Sequence, residues 1–306
     1  MAIPTSRVKE AAIISINQDL CIGCGNCVDV CKDFGLLLEE GKAKVSATPI
    51  FGCIGCGHCM AICPTAAIKI RGRTLSPDDL FSLSSKEDFA DYDSMLKLMQ
   101  HRRSIREFNE DPVKREVIDQ ILEAVKTAPM GLPPSDVNVL VLDNKNKVRE
   151  FAEDFCAHLE RMKFFVSKWF LALMRPFWGK ENDDIFRNFV RPCCNVYLEN
   201  LINGINIVNY DAPLAMYFYG SPYCDPADPI IAATYAMIAA EALGLGTCML
   251  GAIHPFIQYG KSAQKLREKY GISYKSREGI FLIMGYPRIE YKKGIRRTLA
   301  SVKFYG

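Results

Sequence analysis

The chain has 306 residues, which is room for about two domains of ordinary size. Hydrophobic residues make up 49% and charged residues 24%, a globular composition that excludes disordered, collagen-like and coiled-coil chains. The net charge of +3 is too small to predict nucleic acid as a partner. Cysteine is the unusual residue, because eight of the 13 cysteines fall within residues 21–63.

The start of the chain, MAIPTSRVKEAAIISI, has too short an apolar core for a secretory leader, so we expect a cytoplasmic location. In a reducing compartment, clustered cysteines bind metal or carry out redox chemistry rather than form disulfides. The most apolar later stretch, residues 164–178, is interrupted by Lys168, Arg175 and Pro176. No membrane span is therefore predicted.

The clustered cysteines form one motif that occurs twice. The spacing C-x2-C-x2-C-x3-C is found in CIGCGNCVDVC (21–31) and again in CIGCGHCMAIC (53–63), with strand-like AIISI before the first copy and AAIKI after the second. Soft thiolate ligands favour zinc, copper(I) or iron–sulfur clusters. Zinc modules usually have two cysteine pairs separated by a spacer. Three cysteines at x2-x2 spacing, with a fourth on the following helix, favour two [4Fe–4S] clusters.

In the two-cluster arrangement, the fourth cysteine of each motif ligates the cluster of the other motif. We therefore predict a first quartet of Cys21, Cys24, Cys27 and Cys63, and a second quartet of Cys31, Cys53, Cys56 and Cys59. Glycines between the ligands are expected to let the backbone wrap around each cluster. Residues 10–71 resemble the bacterial two-[4Fe–4S] ferredoxin family, although Lys32 stands where that motif usually has proline.

The polar stretch 72–93 predicts a linker with one short helix, and the remaining chain predicts long helices and three strands, at 137–144, 212–220 and 279–287. Asp228 is expected to cap a buried helix that Gly244 and Gly246 end. We expect an N-terminal module of residues 1–75, a linker of residues 76–93 and a C-terminal module of residues 94–306.

Charge predicts that the two modules attract each other. Residues 1–90 carry nine Lys/Arg and ten Asp/Glu, and two anionic clusters would make this part clearly acidic and leave the rest of the chain basic.

A basic segment, HRRSIREF (101–108), follows the linker. Arginine forks and a serine hydroxyl suit a phosphate or a polyhydroxyl chain. The alternative is a solvated basic face whose partners are Glu107, Glu110 and Asp111.

Together with APMG (128–131), DAPLAMYFYG (211–220), LGLGTCMLG (243–251) and GYP (285–287), this segment resembles the FMN-dependent nitroreductase family over residues 92–306. The resemblance implies an α+β sandwich, with a central mixed sheet flanked by helices, and an intertwined homodimer with FMN at the interface. It implies that the FMN phosphate and ribityl chain lie at Arg102, Arg103, Ser104 and Arg106, with Arg296 or Arg297 closing on the phosphate. It places the flavin ring against Pro129, Met130, Gly131, Leu132 and Ser135, usually from the partner subunit, and near Met249, Leu250 and Gly251.

The chain departs from this family after Ala128-Pro129. Many relatives have Asn and Gln-Pro-Trp there, whereas this chain has Pro133, Pro134 and Ser135 and so lacks the amides that commonly bond the flavin. Residues 150–204 resemble an insertion with aromatic side chains crowded into residues 164–178. Either this insertion is a helical hairpin that packs on the core, or it is a lid that shapes an aromatic pocket.

No catalytic acid or base is predicted, because flavin N5 would be the reactive centre. We expect an FMN reductase of a nitroaromatic, a quinone or a similar electrophile, supplied through two [4Fe–4S] clusters by reduced ferredoxin or NAD(P)H. One alternative is reduction of an activated C=C bond or reductive removal of a substituent. The other is a redox relay subunit that passes electrons to a protein partner.

Overall fold

The computed structural model describes residues 2–306 and confirms an α+β fold. The strands are β1 (Ile13–Ile16), β2 (Leu36–Glu39), β3 (Lys42–Val45), β4 (Ile68–Arg71), β5 (Val137–Leu142), β6 (Leu214–Gly220), β7 (Gly246–Leu250) and β8 (Gly279–Gly285). The helices are α1 (Asn26–Val30), α2 (His58–Ala61), α3 (Tyr92–His101), α4 (Arg115–Lys126), α5 (Lys145–Met162), α6 (Lys168–Ile185), α7 (Arg191–Ile202), α8 (Asp228–Ala242), α9 (Ile253–Phe256) and α10 (Lys261–Lys269). Short 3₁₀ turns cover Pro77–Asp79, Lys86–Asp88 and Lys163–Val166, and a π-helical turn covers Phe186–Val190.

The N-terminal module is built from two β-ribbons. Strands β1 and β4, which the sequence predicts, pair antiparallel with Ile14 opposite Ile70 and so bring the two ends of the duplicated region together. Strands β2 and β3 form a hairpin that the sequence analysis missed. Its turn residues, Glu40 and Gly41, have φ of 51° and 72°, as a tight hairpin turn requires. Six of the eight cysteines share the small core of this module with Leu36, Met60, Ile68 and Ile70, whereas Cys24 and Cys56 are exposed.

The C-terminal module has a four-stranded sheet with the order β5-β6-β8-β7, in which all neighbouring strands are antiparallel. Alternate residues of a strand face opposite sides, so Leu214 and Met216 of β6 pack under α4 and α8, whereas Ala215 and Tyr217 pack under α5 and α7. The three predicted strands are confirmed. Strand β7 was expected only as a glycine-rich turn. The sheet was expected to be mixed. Within residues 2–306, its parallel pairing is limited to one bridge between Ser104 and Thr247, which extends the sheet beyond β7.

Helix α8 shows the predicted row of buried small residues, which includes Ala232, Ala236 and Ala240, and Gly244 follows its end with φ of 80°. The predicted capping role of Asp228 is wrong. Ala227 occupies the cap position, and Asp228 is the first helical residue. Its carboxylate instead accepts hydrogen bonds from the Gly131 N–H at 3.1 and 3.2 Å, which ties the loop before β5 to this helix.

Residues 150–204 are largely helical, and part of this segment packs on the core, as the first alternative expects. Helix α5 packs on the core and fully buries Phe151 and Phe155. In the aromatic stretch after it, Val166 and Leu171 are buried, whereas Phe164, Trp169 and Phe177 are 56%, 66% and 78% exposed. These rings mainly contact one another, for example Phe164 and Phe170 with ring centroids 5.3 Å apart.

Two further observations concern the chain as a whole. Helix α3 begins at Tyr92, inside the stretch expected to be a linker. Among residues 2–306, no helix has the length and apolar character needed to cross a membrane.

Candidate functional site

The two predicted cysteine quartets line two separate cavities. Cys21, Cys24, Cys27 and Cys63 line one cavity, and Cys31, Cys53, Cys56 and Cys59 line the other. In each case three cysteines come from one motif and the fourth comes from the other. The structure therefore brings together the sets that the spacing predicts.

The backbone around each quartet is held open by glycines. Gly23, Gly25, Gly55 and Gly57 all have φ between 71° and 81°, a conformation that residues with a side chain rarely adopt. Amide groups point at the sulfurs, with Ala43 N–H donating to Cys21 Sγ at 3.4 Å and Ala67 N–H donating to Cys63 Sγ at 3.3 Å. Such donors stabilise thiolates bound to a cluster.

The thiols of each quartet interact electrostatically. Burial, together with the neighbouring charges of Cys53, Cys56 and Cys31, raises the pKa of Cys59 to about 12. Burial also raises the pKa of Cys27, with added contributions from Cys63, Cys21 and Cys24. Cys59 and Cys27 are therefore each influenced by the three other members of their own quartet. Four thiolates gathered in this way repel one another until a positively charged metal core binds between them.

Within the described part of the chain, no three His, Cys, Asp or Glu side chains form a group arranged for a metal ion. A [4Fe–4S] cluster has a different requirement, because each of its four thiolates binds a different iron atom and the sulfurs stand further apart than around one ion. Two glycine-lined cavities with four cysteines each fit such clusters.

The basic segment lies along the free edge of β7. Ile105 N–H donates to Thr247 O at 2.9 Å, and a Cβ on Gly246 would lie 2.7 Å from Ile105, so the segment packs closely on the strand. Ile105 is buried, whereas its neighbours Ser104 and Arg106 are exposed on the other side. Their hydroxyl and guanidinium donors therefore project from one face, which suits a phosphate.

Buried polar groups also lie directly beneath this segment. Thr247 is fully buried, and its Oγ1 has no hydrogen-bond partner within residues 2–306. Burial raises the pKa of Cys248, while the nearby Arg106, Ser104 and Arg102 act in the opposite direction. Arg106 also lies over the ring of Tyr210 at 5.6 Å. Arg103 is turned away, because it donates to Gln100 O and Arg102 O.

The C-terminal tail runs back along the basic segment. Phe108 bridges Pro287, Arg288 N–H donates to Glu107 O at 2.9 Å, and a Cβ on Gly294 would lie 2.7 Å from Arg103 Nη2. Arg296 and Arg297 follow directly in the exposed stretch 291–306, which has no helix or strand. They therefore lie in the chain just beyond the point where the tail meets Arg103. Met249 and Leu250 belong to the same edge strand, and Gly251 follows its end.

The loop of residues 129–135 lies elsewhere, just before β5. Pro129, Met130 and Gly131 are exposed, and Leu132 is half-buried against the cavity of the second quartet. Ser135 lines a separate cleft of about 480 Å³ with Pro129 and Met130.

The predicted FMN residues thus form two groups that one chain does not bring together. The basic segment adds to β7 at one edge of the sheet, whereas the loop precedes β5 at the other edge. Four strand spacings of about 4.8 Å separate them, or roughly 19 Å. The register also places Ser104 near the level of Leu142, at the far end of β5 from the loop.

Sequence reasoning missed the residues that hold this loop. Asp136 accepts hydrogen bonds from Ser6 N–H and Ser221 Oγ, both at 2.9 Å, and Arg73 donates to Pro133 O at 2.8 Å. These contacts between the modules are hydrogen bonds to a main-chain carbonyl and from serine groups rather than ion pairs, so they do not test the predicted charge attraction. Nothing in the local sequence distinguishes Arg73 from Arg71 two residues earlier.

Comparison with protein families agrees with both resemblances. Residues 13–64 match the family model of the 4Fe-4S dicluster domain, and residues 99–165 match that of the nitroreductase family. The match to a 4Fe-4S domain favours iron–sulfur clusters over zinc.

Individual relatives cover part of the chain. It is 26% identical over 174 residues to FMN reductase [NAD(P)H] of Bacillus subtilis, which is 52% of this chain and 54% of that protein. It is 36% identical over 90 residues to iodotyrosine deiodinase 1 of Rattus norvegicus, which is 28% of this chain and 31% of that protein. The chain therefore spans about half or less of the length of these relatives. A nitroreductase from Bacteroides fragilis solved with bound FMN has a TM-score of 0.48 at 16% identity, over 69% of this chain and 98% of that one.

Proposed function

We propose that this chain, which carries a 4Fe-4S dicluster domain at residues 13–64 and a nitroreductase-family segment at residues 99–165, is an iron–sulfur flavoprotein oxidoreductase. In this proposal two [4Fe–4S] clusters pass electrons to FMN, and the flavin reduces a nitroaromatic, a quinone or a similar electrophile. The observation that carries the proposal is the pair of four-cysteine cavities, one of which is also walled by the loop before β5.

The residues of the chain fit both kinds of cofactor. The two quartets would each hold one cluster, and the exposed donors of Ser104 and Arg106 would bind the FMN phosphate beside the tail that carries Arg296 and Arg297. Bound FMN would supply the chemistry at N5, since it accepts electrons one at a time and delivers them as a pair. The protein would orient the flavin and the substrate and limit access of water.

The separation of the two flavin-binding groups supports a homodimer. A single chain keeps the basic segment and the loop of residues 129–135 at opposite edges of its sheet. A second copy that presents its loop to the first copy's basic segment would complete the site. In solution we expect a dimer that binds two FMN, measured by light scattering with flavin quantification. A monomer that binds FMN with full affinity would contradict this part of the proposal.

The cofactor content is the first test. Protein purified without oxygen should contain about eight irons and one flavin per chain, and an anaerobic titration should consume about four electrons. About three electrons would mean that one cluster is absent, and about two would mean that the flavin or both clusters are absent.

The flavin-binding role of the basic segment has a matched control. Arg106→Gln should weaken FMN binding roughly 10- to 100-fold, because a charged hydrogen bond to phosphate is lost. Arg115→Gln removes an exposed arginine that pairs only with Asp119 on α4 and should leave FMN binding unchanged. If the two variants bind FMN with equal affinity, Arg106 does not bind the FMN phosphate.

A second candidate function is reductive removal of a substituent, which the similarity to iodotyrosine deiodinase 1 favours. A panel of nitroaromatic, quinone, enone and haloaromatic compounds, tested for reoxidation of the reduced flavin, separates the two. Faster turnover with halide release would replace the first function by the second. If no compound reoxidises the flavin faster than buffer does, the favoured function becomes a redox relay subunit that passes electrons to a protein partner. The electron donor, reduced ferredoxin or NAD(P)H, and a cytoplasmic location remain part of the proposal.

A further inference from the structure

The two quartets differ in what surrounds them. Every residue that lines the first cavity lies within residues 16–68 of the N-terminal module. The second cavity, of about 360 Å³, is also lined by Ile3 and by Leu132 of the C-terminal module. Only the second quartet therefore has a wall that belongs to the loop assigned to the flavin ring.

One side chain joins this quartet to that loop. Arg73 is 3% exposed, and it donates from Nε to Ile54 O at 2.8 Å and from Nη2 to Pro133 O at 2.8 Å. Ile54 lies between Cys53 and Cys56, and Pro133 is next to Leu132. Two further bonds, to Glu10 O at 2.9 Å and Ile3 O at 3.1 Å, fix the guanidinium.

The buried charge of Arg73 faces the second quartet. Its four hydrogen bonds all go to neutral main-chain carbonyl groups. Burial lowers the pKa of Arg73, and the strongest opposing influence is the charge of Cys53. Buried charges in proteins are normally paired. Asp136 and Glu10 act in the same direction as Cys53, and an anionic cluster held by the second quartet would add to this counter-charge.

The loop is held on its other sides as well. Arg7 Nη2 donates to Ser135 O at 2.7 Å, Ser6 N–H donates to Asp136, and Gly131 N–H donates to Asp228. Residues 131–136 are therefore fixed between the second quartet and α8.

From these contacts we propose that the cluster held by Cys31, Cys53, Cys56 and Cys59 is the one that delivers electrons to the flavin, and that Arg73 positions it against the loop of residues 129–135. The first quartet then holds the cluster on the entry side. This inference rests on the proposed function, and it adds the order of the two clusters.

The electron balance is simple. Two successive one-electron oxidations of the second-quartet cluster reduce one FMN, which also takes up a proton from solvent. A low-potential one-electron donor, of the reduced ferredoxin class, returns both electrons through the first-quartet cluster. The electrophile then takes the pair from the flavin.

Matched variants of the duplicated motif test the order. Cys21→Ala/Cys24→Ala removes the first-quartet cluster, and Cys53→Ala/Cys56→Ala removes the second-quartet cluster, at equivalent positions. Each variant is fully reduced without oxygen and mixed with menadione, and the remaining cluster is followed by rapid-freeze electron paramagnetic resonance. We expect the cluster left in Cys21→Ala/Cys24→Ala to be reoxidised together with the flavin, and the cluster left in Cys53→Ala/Cys56→Ala to lag at least 10-fold. Equal rates, or the reverse order, would overturn the proposal.

If a cysteine variant does not fold, Arg73 variants test the same proposal, because they retain all eight cysteines. Arg73→Met should lower the midpoint potential of one cluster, since the lost positive charge no longer stabilises the reduced state. It should still slow reoxidation of that cluster, despite the larger driving force, because the hydrogen bond to Pro133 O that holds the loop against the quartet is lost. Arg73→Lys should keep the midpoint potential of the cluster close to that of the unmodified protein, while electron transfer from the cluster to the flavin stays slow. Arg71→Met removes an exposed arginine two residues away and should change neither. Potentials in Arg73→Met that equal those in Arg71→Met would contradict the role of Arg73.

Failure of this inference is separable from failure of the proposed function. Absence of flavin or of iron from the purified protein would refute the proposed function. A protein that contains all cofactors but reoxidises the first-quartet cluster faster refutes only the order proposed here.

Discussion

The two cysteine quartets share one sequence motif and one backbone conformation, but they face different parts of the molecule. The first lies against the β2–β3 hairpin, where Ala43 N–H contacts Cys21 Sγ and Lys42 Nζ donates to Gln18 O at 3.0 Å and to Cys21 O. The second lies against the junction with the loop before β5. In the proposed arrangement, the local motif determines what a quartet binds, and the surrounding chain determines which neighbour receives its electrons.

The largest expected difference between the quartets comes from their first glycines. A Cβ on Gly23 would lie 1.9 Å from Gly41 O, a backbone overlap that cannot be relieved locally. The equivalent Cβ on Gly55 would lie 3.0 Å from Arg73 Cβ, a contact that a small shift relieves. We expect Gly23→Ala to lose about half of the bound iron, from about eight to about four per chain, and Gly55→Ala to keep more. Iron analysis checks this, and equal losses would show that the two loops are interchangeable.

The junction beside the second quartet should weaken next. Asp136→Asn leaves Ser6 N–H, Ser6 Oγ and Ser221 Oγ with a neutral partner in a buried site, at an expected cost of about 1–3 kcal/mol. Reoxidation of the second-quartet cluster should slow, while the first quartet keeps its cluster. Asp119→Asn, at an exposed pair on α4, is the control. Denaturant unfolding and cluster reoxidation are the two measurements, and an unchanged reoxidation rate would separate the junction from electron transfer.

A smaller difference, in stability, is expected between substitutions at the second glycine of each motif. A Cβ on Gly25 meets nothing within 4 Å, whereas one on Gly57 would lie 3.1 Å from Leu75 Cδ2. Gly25→Ala should therefore cost only the left-handed backbone penalty of about 1–2 kcal/mol, and Gly57→Ala somewhat more. Thermal unfolding of the loaded proteins compares the two. A larger loss in Gly25→Ala would contradict the loop geometry described here.

The smallest expected effect is at Arg7, whose bond to Ser135 O is exposed. Arg7→Ala should change the free energy of unfolding by less than about 1 kcal/mol, because exposed contacts of this kind contribute little. Lys9→Ala, which lies two residues further on, serves as its control. A loss of cluster reoxidation in Arg7→Ala but not in Lys9→Ala would mean that the N-terminal segment does more to hold the loop than Arg73 does.

Local patterns in the sequence predicted the grouping of the cysteines and most of the sheet. The x2-x2-x3 spacing was enough to divide eight cysteines into two quartets, and the apolar runs of β5, β6 and β8 were long enough to identify as strands. The β2–β3 hairpin was missed, although Glu40-Gly41 between two short alternating runs was an available turn signal. Strand β7 was missed because its glycine and small residues resemble a turn until Ile105 packs on Gly246.

The relations between distant segments were not available from the sequence. The separation of the basic segment from the loop of residues 129–135 depends on the strand order β5-β6-β8-β7, which no local pattern encodes. Arg73 gains its role because the chain turns sharply after β4, with φ of 53° at Arg73 and 61° at Thr74, which directs the guanidinium inward. The role of Asp228 was also not available from the sequence. Its position suggests a helix cap, but in the fold its carboxylate accepts a hydrogen bond from the Gly131 N–H.

The most direct test of the cluster order is a crystal structure of the protein loaded without oxygen, with its iron atoms located by anomalous scattering. We predict two iron clusters, of which the one held by Cys31, Cys53, Cys56 and Cys59 lies nearer to a flavin ring. A shorter distance to the flavin from the cluster held by Cys21, Cys24, Cys27 and Cys63 would contradict it.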